Sequence, residues 1–322
     1  MMKRFGGSKG FILGLFALTL MTAGGPRLAA ANEFDRFIMP VSNPVYSGDA
    51  RNTTIVRPIY IHQNLPEKVK TSAGKVDVDG TVNIFAIAAS LALSERFSIV
   101  AVKDGYVDCE PDHTLNDHNG WADLAAGMQY SFIYDPEHSF ILSGRLVYEA
   151  PTGSDQVFQG NGNGNINPSL LFLQGIGRMQ FSGSLGFVIP LDHNEENTLF
   201  HDSWHLSYAV TDWFRPLVEL NHFYVVDDGN RDAPSTGLDA LGTSKEDDLV
   251  AGIATFNGCD LINLGGSNSD ENRNLVTMAV GARFRVTKWM DVGAVYEFVL
   301  TDESNGLIED RFQMDAVISV PF

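Results

Sequence analysis

Cysteine is almost missing from this chain: Cys109 and Cys259 are the two thiols in 322 residues. Two thiols cannot staple a disulfide-dense scaffold or fill a four-thiolate zinc site. Basic residues are scarce too, with 22 Lys and Arg against 40 Asp and Glu and a net charge of −18. That balance excludes a general phosphate binder, and with it a nucleic-acid partner, because phosphate contacts need a Lys/Arg excess. Charged residues make up 19% of the chain, below the ~25% usual in soluble domains. Hydrophobic residues make up 44%, too many for a disordered chain. Beyond residue 31 no apolar run reaches the ~18 residues of a membrane helix, and helical periodicity is scarce.

The one sustained apolar stretch is Phe11 to Met21. Lys3, Arg4 and Lys9 precede it, and Ala29-Ala30-Ala31 follows. A basic start, a short apolar core and small residues before a cleavage point define a secretory signal peptide. The expected boundaries are a signal peptide over 1–31, an N-terminal periplasmic or lumen segment over 32–51, and a barrel over 52–322. No cysteine stands at the expected cleavage point after the apolar core, which argues against a lipoprotein. Cleavage removes four basic residues and no acid, taking the net charge to −22.

What the mature chain does have is alternation. Met278, Val280, Ala282, Phe284 and Val286 share one parity, with Arg283 and Arg285 on the other. Val292, Ala294, Tyr296, Phe298 and Leu300 repeat the pattern opposite Asp291 and Glu297. Period two is the strand signature. Twelve such runs lie near 52–63, 81–93, 97–107, 121–134, 139–150, 166–175, 178–189, 200–210, 214–226, 274–286, 290–302 and 311–322. They are about twice the length of an ordinary soluble strand and match the roughly 9–11 residues of a tilted membrane strand. Short and long gaps alternate between them, as periplasmic turns and external loops do in outer-membrane barrels. The predicted fold is all-β: a transmembrane antiparallel barrel of about twelve strands. Leu249 to Phe256 is placed inside the longest loop, since a thirteenth strand would break the alternation. Trp213 and Trp289, in the repeated short turns, are expected at the periplasmic interface.

The last run, Arg311 to Phe322, places Phe312, Met314, Ala316, Ile318, Val320 and Phe322 on one parity. It resembles the assembly signal of bacterial outer-membrane barrels, with Phe322 the expected contact for the barrel-assembly machinery. Further stretches are similar to the transporter-like, meta-pathway phenol-degradation family of outer-membrane barrels. They are Pro40 to Pro44 with Val56 to Tyr60, Asn167-Pro168-Ser169, Asp260 to Gly266, and Val280 to Arg285 with Tyr296-Glu297-Phe298. The resemblance implies an outer-membrane barrel with a transport role, and hints at apolar or aromatic permeants. It brings no catalytic set.

Strand parity turns a mixed set of charges to the lumen: Arg57, Lys103, Arg145, Arg215, Arg283, Arg285 and Arg311, with Asp123, Glu149, Glu219, Asp291, Glu297 and Asp315. Such groups select permeants at a constriction or form a salt-bridge network that closes a narrow barrel. The N-terminal segment is a second candidate to occupy the lumen. Cys109 and Cys259 fall in expected external loops, where an oxidising compartment permits a disulfide. Asp108, Glu110, Asp112, His113, Asp117 and His118 crowd one loop, and Asp227, Asp228, Asp232, Asp239, Glu246, Asp247 and Asp248 another. Their spacing matches no metal-binding motif, so solvated acidic loops are expected, with no cofactor or metal. Lipopolysaccharide bridged by divalent ions is one use for that charge, and lipid is the expected partner of the outer face. His205, Ser203 and Ser207 share the lumen face, and His222 lies on lipid parity with no serine beside it. No nucleophile-elbow motif occurs, so no enzyme is expected. The reading is passive passage of small molecules across the bacterial outer membrane. The alternative is a non-conducting structural or surface-interaction barrel whose acidic loops bind ions.

Overall fold

The structure is a computed structural model that describes residues 33–71, 74–160, 162–193, 196–227 and 274–320. The strands are β1 (Ile55–Asn64), β2 (Lys68–Thr71), β3 (Gly74–Asp77), β4 (Gly80–Ser94), β5 (Phe97–Lys103), β6 (Tyr106–Pro111), β7 (His118–Trp121) and β8 (Leu124–Asp135). They continue as β9 (Phe140–Ala150), β10 (Asn165–Ile176), β11 (Met179–Pro190), β12 (Thr198–Tyr208), β13 (Phe214–Asp227), β14 (Asn274–Thr287), β15 (Met290–Val299) and β16 (Asp310–Ser319). Among the described residues no helix is long and apolar enough to cross a membrane.

Twelve strands, β1, β4, β5 and β8 to β16, form an antiparallel barrel. It closes because β1 pairs with β16 on one side and β4 on the other, Ile61 lying opposite both Gln313 and Ile84. Closure removes every open edge, so the wall has no unpaired strand to hydrogen-bond in lipid. The alternation has the consequence read from the sequence. Phe85, Ile99, Met128, Leu170, Val218 and Val280 are exposed on the outer wall. Tyr208, Trp213 and Trp289 ring the turn end, and Tyr106, Trp121, Tyr148, Tyr224 and Tyr296 the loop end. These are the two aromatic girdles of a membrane barrel.

The structure redraws some boundaries. The run expected over 97–107 is broken at Asp104-Gly105, and β6 continues along the upper part of β4. Gly105 has φ +138°, and a Cβ there would lie 2.9 Å from the Phe85 carbonyl oxygen, so the kink requires glycine. The run expected from residue 121 starts at Leu124, because β7 folds back on β6. The gap expected over 64–80 holds the β2–β3 hairpin. The last strand ends at Ser319, and Phe322 lies outside the described residues. So do the signal segment, Cys259, residues 228–273 with most of the second acidic loop, and Leu249 to Phe256.

The interior has two layers. At the loop end a hydrophobic cluster joins inward side chains such as Ile61, Val82 and Phe223 to Val69, Phe158 and Leu307 from inturned loops. Below it the lumen face is largely polar, and there the N-terminal segment lies, packing Phe34 and Phe37 on Ile141, Leu171 and Leu173, and Ile38 and Val41 on Leu217, Ala279 and Val295.

Candidate functional site: the lumen and its strap

Residues 33–54 precede β1 and form a strap inside the barrel. Apart from a 3₁₀ turn at Glu33–Arg36 it has no regular secondary structure. A buried segment of that kind must find partners for its backbone N–H and C=O groups among side chains or water. Here the lumen wall supplies them.

The strap starts at the turn end. Arg36 donates to the Gly177 carbonyl (2.8 Å) and to Ser139 Oγ (2.8 Å), both in periplasmic turns. Gln180 then brackets Ile38, accepting from its N–H (2.8 Å) and donating to its carbonyl (2.7 Å). The next residues are held from both sides. Arg57 Nη2 donates to the Pro40 and Val41 carbonyls (2.9 and 3.0 Å). Arg283 Nε donates to the Met39 carbonyl (3.0 Å), and Gln313 to that of Val41. Opposite them, Glu219 accepts from the N–H groups of Val41 (2.9 Å) and Ser42 (2.6 Å).

The strap reverses near Asn43, whose φ of 49° is left-handed, a region asparagine tolerates better than most residues. The Ser47 N–H closes the turn on the Asn43 carbonyl (2.8 Å). At the turn Tyr46 stacks on His201, with ring centroids 4.4 Å apart. Arg145 Nη2 and Ser184 Oγ both donate to the Tyr46 carbonyl (3.3 and 2.8 Å). The returning limb is held by Ser143 on the Ala50 carbonyl (2.6 Å) and Gln129 on that of Asp49 (3.0 Å). Arg51 pairs with Asp49 and donates to the Phe34 and Phe37 carbonyls, tying the two limbs together.

The predicted lumen charges are all placed. Arg57, Lys103, Arg145, Glu149, Arg215, Glu219, Arg283, Glu297, Arg311 and Asp315 are inside and at least nine-tenths buried. Asp315 joins two guanidiniums, Arg57 at 2.5 Å and Arg283 at 2.8 Å. Both of those also hold the strap. Glu297 pairs with Arg311 (2.6 Å), and Glu149 with Lys103 (2.6 Å). Arg285 and Asp291 are only partly buried and pair with each other at 2.9 Å near the turn end. Asp123 is the exception in kind. It precedes β8 and accepts from the N–H groups of Gly153 (2.7 Å) and Gly160 (3.0 Å), so it fastens the β9–β10 loop.

Other positions went unremarked in the sequence. Gln129, Gln180, Gln313, Ser143, Ser184 and Asn221 are uncharged lumen residues, yet most of the strap's bonds run to side chains of this kind. Their only signal was lumen parity. Cys109 is buried on β6 and has no disulfide partner among the described residues. The β6–β7 pairing spreads the first acidic loop, and among the described residues no three His, Cys, Asp or Glu side chains gather into a metal-binding group.

The histidines have definite partners. Ser207 Oγ lies 3.0 Å from His205 Nε2, and His205 Nδ1 lies 2.7 Å from Glu219 Oε1. That is Ser-His-acid spacing, but Glu219 also holds the strap and Ser207 is 4% exposed. On the outer face His222 bonds Asp202 (2.9 Å) and Asn274 (2.9 Å), so both ring nitrogens are engaged. Beside the strap the lumen keeps a cavity of about 50 Å³, space for a few waters and too little for an aromatic ring.

A closed, girdled barrel with polar lumen charges and its own N-terminal strap defines a bacterial outer-membrane β-barrel. The chain belongs to the family described as "Putative MetA-pathway of phenol degradation", whose model matches residues 50–256. No curated protein sequence matches it. Among solved structures it is similar to an outer membrane channel from Pseudomonas putida F1, with a TM-score of 0.57 at 13% identity, covering 88% of this chain and 99% of that one. It is more distantly similar to the NanC porin, with a TM-score of 0.47 at 6% identity over 83% of this chain and 99% of that one.

Proposed function

We propose that the protein is a gated outer-membrane channel for small molecules, closed in this state by its N-terminal strap. One observation carries the reading: the strap is held by side chains and forms no strand of the wall. Residues 33–50 can therefore leave without breaking a rung of the barrel, while Thr54 stays on the ladder beside Val320. The charges predicted to line the path then have two roles. Arg57, Glu219, Arg283 and Asp315 latch the strap. Arg145 holds it too, through the Tyr46 carbonyl, while Lys103, Glu149, Glu297 and Arg311 line the lumen wall as ion pairs.

The family's description points to phenolic compounds. Such molecules suit a lumen whose lower layer is largely polar and whose upper layer is the hydrophobic cluster around Ile61, Val82 and Phe223. The outer wall is the lipid-contacting surface, and Phe322 is assigned to recognition by the assembly machinery. No reaction is assigned to the chain.

The alternative is a barrel that the strap keeps permanently shut, and one experiment separates the two. Full-length protein and a variant lacking residues 33–50 are reconstituted in planar bilayers, with heat-modifiable gel mobility as the check of folding. The channel reading expects low, flickering conductance from the full chain and steady conductance from the deletion. A folded deletion variant that conducts no more than the full chain removes it.

A further inference from the structure

The barrel wall has a thin place across β9, β10 and β11. On its outer face lies a groove of about 420 Å³ between the side chains of Met128, Phe132, Leu146, Leu170, Leu185 and Phe187. That volume is in the range of small-molecule sites, about 300–1,000 Å³. Its floor is low because Gly144 and Pro168 bring no bulky side chain to it. The ladder also lapses there. β10 and β11 pair at Ile166↔Ile189 and again at Ser169↔Gly186, but not at Asn167 and Pro168 between them. Proline has no N–H to donate.

Directly behind the floor, on the lumen side, four polar atoms have no partner among the described residues: Arg145 Nε, Asn167 Oδ1, Ser169 Oγ and His201 Nδ1. All four residues are more than nine-tenths buried. The register sets three of them on one rung, Arg145↔Ser169↔Gly186↔His201. Asn167 is two positions along β10, with its amide nitrogen 3.1 Å from His201 Nε2. At Gly186 a side chain would strike Ser169 Cβ (2.7 Å) and His201 Nε2 (2.9 Å), so glycine keeps that space open. Leaving buried polar groups unpaired is costly, and they are grouped where the wall is thinnest.

We propose that this seam is a binding site for a small apolar molecule carrying one hydroxyl head. The body lies in the lipid-facing groove, and the head turns between β10 and β11 toward Ser169 and its neighbours. A lipid acyl chain would fill the groove as well, but methylenes leave the four polar atoms unsatisfied. The proposal rests on the reading of the chain as a small-molecule channel and names the chemistry of its ligand.

The test is equilibrium binding of p-cresol and toluene, equal in shape but for the hydroxyl, to the full chain in detergent. It is read by saturation-transfer NMR with matched protein-free micelles subtracted. p-Cresol is expected to bind at least tenfold more tightly than toluene. Ser169→Ala should weaken p-cresol about three- to tenfold, the effect of one neutral hydrogen bond, and leave toluene unchanged. Gly144→Leu, or Leu170→Trp should that variant fail to fold, should fill the groove and abolish both signals. Equal binding of the two ligands, indifferent to Ser169→Ala, would mean a groove for acyl chains only and would overturn the proposal. So would p-cresol binding that survives a folded groove-filling variant, or no binding of either ligand. Binding at equilibrium needs no conduction, so failure here leaves the channel reading to the bilayer experiment.

Discussion

Glu219→Gln is the sharpest probe of the strap. In the native lumen this carboxylate accepts the N–H groups of Val41 and Ser42 at 2.9 and 2.6 Å. Hydrogen bonds to a charged acceptor contribute about 1.5–3 kcal/mol each, against about 0.5–1.5 kcal/mol for neutral ones. A glutamine keeps one acceptor oxygen and sets an NH₂ group against the second backbone N–H. One bond is weakened and the other becomes a donor facing a donor. The expected loss is about 2–4 kcal/mol of strap docking, or roughly 30- to 1,000-fold in the ratio of docked to released strap. Hydrogen exchange reads this directly, because local opening sets the protection of these amides. A peptide spanning residues 38–50 should exchange faster by that factor, while β13 and β14 peptides keep native rates. In bilayers the same variant should open more often without a change in unit conductance. If exchange over 38–50 is unchanged in a folded Glu219→Gln barrel, Glu219 does not latch the strap and the gating argument fails.

Asp315→Asn leaves the Arg57 and Arg283 guanidiniums buried without their shared counter-charge. Removing one partner of a buried ion pair costs about 3–5 kcal/mol, so urea unfolding in liposomes should shift by that amount, and an unchanged midpoint would contradict the ion-pair geometry. Val280→Arg puts a charge halfway along β14 on the lipid face, where about 2–4 kcal/mol is lost at the bilayer midplane; an undiminished folding free energy would mean that this face does not meet lipid. Glu196, in the β11–β12 loop, has its carboxyl pushed up to about 8, first by burial and then by the neighbouring Glu149. Because its folded pKa is raised, the loop is held best while Glu196 is neutral, and that hold is lost as pH rises from about 4.5 through 8. Exchange of residues 191–197, corrected for intrinsic rate, should therefore quicken toward pH 9, and Glu196→Gln should flatten the dependence.

The outer wall was legible because lipid and lumen impose opposite chemistry on alternate residues of every strand. Met278, Val280 and Phe284 against Arg283 show this without coordinates, and the lumen charges followed from parity alone. Parity says nothing about partners where the chain leaves the ladder. Asp123 is buried, but it precedes β8 rather than lying on it, so its carboxylate meets loop amides instead of a neighbouring strand's side chains. The break at Gly105 escaped notice for a similar reason. A glycine in an alternating run looks like any other until Ala86 and Phe85 of the neighbouring strand are beside it.

By itself the sequence determined the barrel, its strand number, its two faces and its export, since each follows from local spacing or composition. It also set out the thirteen charged residues, but it could not say what they hold. That was decided only in three dimensions. Val41 and Glu219 are 178 residues apart in the chain, and Arg57 and Asp315 are 258 apart. A strap without periodicity leaves no pattern of its own, because its backbone is satisfied by side chains from many strands rather than by a neighbouring ladder. Closure of the barrel brings those side chains to a common centre, and closure is a property of the whole sheet, not of any segment.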